Sequence, residues 1–226
     1  MKCDWVIGSR ALVLLSLLLA TVVAGCAETR EVYYDAWEKI GYAKRDRLVD
    51  NVKSARDAQQ DAKQQFASAL DQFKSVVNFK GGDLEALYDK LNDSYKRSDS
   101  RAAAVKSKIQ SVKNVGEALF TEWQGEIAQM SDDPSLQSQS KALYDKTHEH
   151  YDELVTHMDT AAATMDPVLR KFKDRVLFIK ANLNAEAIAS LQGTDVELGG
   201  DIDNLIKEMQ DSINEADKFI SQVQTK

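Results

Sequence analysis

The sequence predicts an all-α fold: an elongated antiparallel coiled-coil bundle of three long helices, with a shorter fourth helix packed at the end distal to an N-terminal lipid anchor. Three observations predict it. Apolar and small residues recur at alternating spacings of four and three, the mark of a left-handed coiled-coil seam. Glycine pairs and an Asp-Pro step punctuate these stretches. Composition agrees: Pro134 and Pro167 are the two prolines, and Ala, Asp, Lys, Gln, Leu and Ser dominate, which favours long helices over sheet.

The chain opens with residues 1–25, which read as a cleaved lipoprotein signal peptide. Lys2 and Arg10 precede an almost wholly apolar run from Ala11 to Ala24, the layout of a secretory signal. The run is shorter than the roughly 20 residues a spanning helix needs. Val23-Ala24-Gly25 then leads into Cys26. Small residues directly before a cysteine form a lipobox, in which the thiol is acylated (palmitate-type chains) and the chain is cut before it. Cys26 is therefore the expected lipidation site, and residues 26–32 form a short tether. Cys3 leaves with the signal, so no disulfide is expected in the remainder.

A single helical domain, 33–226, follows, with helices expected at about 33–78, 83–131, 134–192 and 201–224. The first seam runs through Trp37, Ile40, Lys44, Leu48, Val52, Ala55, Gln59, Ala62, Phe66, Leu70, Phe73 and Val77. Gly81-Gly82 closes that helix and Asp83 caps the next. The second seam continues from Leu84 through Tyr95, Ala102, Ile109 and Gly116 to Trp123, Ile127 and Met130. Folding back at Gly81-Gly82 sets Val77 against Leu84, Phe66 against Tyr95 and Val52 against Ile109 in one register. Gln59 then falls opposite Ala102, and Lys44 opposite Gly116 with its stem along the seam.

Asp133 and Pro134 supply an N-cap and a first-turn proline for the third helix. Its seam holds Leu136, Leu143, His150, Leu154, Met158, Phe172, Ile179 and Leu183. This hairpin sets Met130 against Leu136, Trp123 against Leu143 and Tyr95 against Phe172. Pro167 interrupts it, where a kink is expected and a break is the alternative. The helix then overshoots the first hairpin through Ile188 and Leu191. Gly193 and Gly199-Gly200 mark a loop, and Asp201 caps the last helix, which places Ile202 by Leu191 and Val223 by Leu169. At 1.5 Å per residue the rod is about 70 Å long.

Charge narrows the partners. Residues 1–25 hold Lys2, Arg10 and Asp4 out of 29 basic and 36 acidic side chains, which leaves the remainder near −8. Nucleic acid is excluded as a partner, because phosphate binding needs clustered cations. An anionic membrane surface is disfavoured on the same ground.

His148, His150 and His157 are the imidazoles, all on one helix. His148 with Asp152, or Glu153 with His157, has the i,i+4 spacing of a shared metal ligand pair. Bundle metal sites bring ligands from several helices, and no Glu-x-x-His is present. No Gly-x-Ser-x-Gly and no Gly-Lys-Ser/Thr follows any glycine pair. The expectation is no enzyme, no metal and no cofactor beyond the covalent lipid on Cys26. Near the anchor, Tyr34 and Tyr42 are candidates for membrane-interface contact. Phe79, Gly81, Gly82 and Ile188 are candidates for a partner-binding tip. Leu87, Val115 and Phe178 are left over for the bundle or a dimer seam, so homo-oligomerisation stays open.

Several runs resemble a family of bacterial lipoproteins catalogued as domain of unknown function 2959. They are Lys44-Arg45-Asp46-Arg47-Leu48-Val49-Asp50, Phe73-Lys74-Ser75-Val76-Val77-Asn78-Phe79 with Gly81-Gly82-Asp83-Leu84, and Met165-Asp166-Pro167-Val168-Leu169 with Val176-Leu177-Phe178 and Asn182-Leu183-Asn184-Ala185. The resemblance implies a Gram-negative envelope protein and brings no activity and no site residues. The reading that results is a non-catalytic, lipid-anchored helical spacer or adaptor on the periplasmic face of the outer membrane, with an unidentified envelope protein as partner. The alternative is a membrane-remodelling or lipid-binding coiled-coil module, and behind it a metal-dependent enzyme using the His148–His157 stretch.

Overall fold

Turn chemistry passes most directly from sequence into backbone. A computed structural model describes residues 44–224, and among these the chain is helical with no strand. The chain divides into two compact units, Met1–Arg45 and Asp46–Lys226, and the helical core is the second. Helix α1 covers 44–77. Beyond it Gly81 and Gly82 take φ of 127° and 121°, values at which a side chain is strained. Asp83 then accepts a 3.0 Å bond from the Ala86 amide and caps α2 (Leu84–Gln129). Asp133 accepts from the amides of Ser135 and Leu136, and Pro134 opens α3 (Pro134–Ala181). Helix α3 is continuous through Pro167, so there is no break. Met165 and Val168, buried on either side, offset the roughly 3 kcal/mol that an interior proline costs.

The helices pack antiparallel. Gln65 Nε2 donates to the Ser94 carbonyl across α1 and α2, and Arg101 meets Asp61 at 3.2 Å. Between α2 and α3, Lys113 meets Asp159 at 2.6 Å, and the rings of Tyr95 and Phe172 lie edge to face at 5.7 Å. The seam of α1 is buried from Leu48 to Val77, with no position more than 6 % exposed. Each large apolar side chain so removed from water contributes about 1.5–3 kcal/mol.

The C-terminal third departs from the expected boundaries of 134–192 and 201–224. Helix α3 stops at Ala181. Asn184 accepts from the Ala187 amide at 2.8 Å and caps the short α4 (Ala185–Ser190). Ile188 and Leu191 do not overshoot the hairpin; they turn into the core, 2 % and 7 % exposed. Gly193, at φ 89°, leads into α5 (Thr194–Gln224).

Gly199 and Gly200 therefore lie inside a helix, and Asp201 caps nothing. Its carboxylate takes the Lys171 ammonium at 2.6 Å. Two interior glycines cost about 1 kcal/mol each, and burial outweighs that cost. Leu198 and Ile202 are wholly buried, and Gly199 sits against Leu70 of α1. Instead of Ile202 by Leu191 and Val223 by Leu169, the register of α5 on α3 is fixed by Lys171–Asp201 and Glu153–Lys218. On α1 it is fixed by Arg56–Asp217 at 2.7 Å and Lys63–Gln210 at 2.6 Å. The fourth long helix runs from the level of Leu70 to that of Arg56, and is not confined to one end.

Gln59 bonds Ser212 of α5, with distances of 2.9 and 3.1 Å in the two directions, and both residues are 0 % exposed. A buried reciprocal pair is satisfied in one register only, so it selects that register. Ser212→Ala is expected to strand the Gln59 amide and cost about 1–3 kcal/mol. The double variant Gln59→Leu/Ser212→Ala should recover most of that in urea unfolding. A double variant no more stable than Ser212→Ala would show that the two side chains do not act as a pair.

Candidate functional site

The predicted site residues fall into three groups. Cys26, the lipobox residues Val23, Ala24 and Gly25, and Tyr34 and Tyr42 lie outside the described residues, as does Trp37. At the α1–α2 turn, Gly81 and Gly82 are exposed, and Phe79 is half-buried against the core. Ile188 is a correction: its side chain is in the core and cannot meet a partner, because α4 folds back where an extended α3 was expected. The exposed apolar residues of this part of the bundle are instead Leu177, Phe178, Leu183 and Val196. Leu183, expected in the third seam, is exposed because α3 ends two residues before it.

The third group is the histidine stretch of α3. Helical spacing puts Tyr144, His148, Asp152 and Thr156 on one side of α3, beside Gln124 of α2 and Glu215 and Lys218 of α5. Together with Asp145, Glu149, Glu153 and His157 they line an open groove of about 1040 Å³. Tyr144 and His148 join it to an aromatic cluster on α2. Phe120 is 4.6 Å from the His148 ring, edge to face, Tyr144 stacks on His148 at 5.5 Å, and Trp123 meets Tyr144 at 5.6 Å. Gln124 Nε2 donates to the Tyr144 hydroxyl at 2.8 Å. Trp123 donates to Ser140, and its expected partner Leu143 is 44 % exposed.

The carboxylates of the groove hold cations and imidazoles of the same chain. Asp152 lies 3.0 Å from His148 Nδ1. Lys141 holds Asp145 at 3.0 Å. Glu153 takes the Lys218 ammonium at 3.2 Å and has His150 at 3.7 Å. The hydrogen bond from Lys218 holds the Glu153 carboxyl below its ordinary range. Lys218 is raised in turn, first by Glu215 and then by Glu153. The i,i+4 pair His148–Asp152 is thus joined directly, and Glu153 turns to Lys218 and His150. Among the described residues no three His, Cys, Asp or Glu side chains converge as metal ligands.

Below the groove Tyr151 is buried over Gly116, the space into which the Lys44 stem was expected. Its hydroxyl is 3.4 Å from the carbonyls of Val112 and Lys113. Burial, with Asp152, Glu117 and Asp159 adding negative charge, pushes the phenol from 10.0 up to about 12. Because the folded value lies above the unfolded one, the stabilising contribution of the neutral phenol is complete below pH 10 and lost as pH rises through about 12. Absorbance titration should show a phenol ionising near pH 12 that is missing from Tyr151→Phe, while Tyr95, also raised by burial, still titrates late in both. Unchanged titration near pH 12 in that variant would place the shifted phenol elsewhere.

Sequence spacing missed Phe120, Tyr144 and Tyr151, each next to a chosen seam position. Among the described residues no helix is long and apolar enough to cross a membrane. No curated protein and no solved structure matches the chain. The family model described as Protein of unknown function (DUF2959) matches residues 33–223, nearly the whole chain, and the protein belongs to that family.

Proposed function

We propose that the protein is a non-catalytic, lipid-anchored helical spacer or adaptor of the Gram-negative envelope, an antiparallel coiled-coil bundle on the periplasmic face of the outer membrane. Cys26 carries the lipid once residues 1–25 are removed. The observation that carries this reading is the unbroken burial of the α1 seam from Leu48 to Val77, against buried seam stretches from Ser98 to Leu119 in α2, Leu154 to Ile179 in α3 and Leu198 to Ile220 in α5. The helices spend their apolar residues on lengthwise packing, as a strut requires. Gly81 and Gly82 at the turn, with the exposed Leu177, Phe178, Leu183 and Val196, are the positions for an envelope protein partner.

The rival lipid-binding module needs a free basic face. Lys106, Lys113 and Lys171 each meet a carboxylate, which supports the spacer reading over it. Fractionation and crosslinking test the proposal together. Cys26→Ala should move the protein from the membrane fraction to the soluble periplasm. A photoreactive residue at Gly82, Leu183 or Val196 should capture a defined adduct that one at Leu136 does not. Membrane retention of Cys26→Ala, or adducts from Leu136 alone, would overturn it.

A further inference from the structure

We draw no further inference here: the strongest candidate outside the groove already described, the apolar surface beside the α2–α3 turn where Met130, Leu136 and Leu143 are exposed, carries nothing because no feature of the structure shows what covers it.

Discussion

Phe172→Ala is expected to cost about 3–5 kcal/mol, the range for emptying a buried aromatic site. Phe172 is 0 % exposed and joins three helices. Its ring meets Phe73 of α1 at 6.4 Å and 73°, and Tyr95 of α2 at 5.7 Å and 88°. Both are edge-to-face contacts, which add roughly 0.5–1.5 kcal/mol beyond the area buried. For a domain of this size the loss corresponds to a fall in melting temperature of roughly 6–20 °C. Phe178→Ala is the control: that ring is 39 % exposed, and its removal should change stability by about 0.5 kcal/mol or less. Equal effects from the two substitutions would contradict the packing of α3 onto α1 and α2.

The contrast between Phe172 and Phe178 marks how far heptad reading reaches. The α1 and α2 seams and both capped turns were legible because each rests on local chemistry: spacing, a cap carboxylate, a glycine at positive φ. The α5 boundary was not, since Gly199-Gly200 is a breaker by propensity and a helix by burial against Leu70. That one misreading propagates. With α5 lying along α3, α3 buries positions beside its seam as well: Tyr151 beside His150, between Gly116 of α2 and Phe219 of α5, and Leu169 beside Val168. Tyr144 beside Leu143 is covered by Phe120 and Trp123 of α2. A helix with neighbours on both flanks presents a wider apolar stripe than a two-helix seam. Tyr144 in the groove and Tyr151 beneath it are such flanking residues, so a strict seven-residue search passed over them. Leu87 and Val115, left over by that search, pack against the same core. At the other end Met130, Leu136 and Leu143 keep the heptad phase yet are exposed, because spacing reports which face is apolar and not how many helices cover it.

Gly116→Val is expected to cost about 3 kcal/mol or more, at the upper end for overpacking a filled core. A Cβ at Gly116 would run into the Tyr151 phenol, with Cε2 at 2.6 Å. The ring has nowhere to go: Phe120 lies 5.1 Å away on α2 and Phe219 6.4 Å away on α5. Even Gly116→Ala should destabilise, although alanine is worth up to about 1 kcal/mol over glycine in a helix. Gly125 lies on the same helix, and a Cβ there would meet nothing within 4 Å, so Gly125→Ala should stabilise. One substitution, made nine residues apart, thus carries opposite signs that only the Tyr151 contact explains. Shortening the partner should relieve the clash: Gly116→Ala in a Tyr151→Leu background is expected to cost less than in the wild type, with a coupling of roughly 1–3 kcal/mol. If Gly116→Ala stabilised the protein as Gly125→Ala does, Tyr151 would not occupy that hollow, and the docking of α3 on α2 would need to be redrawn.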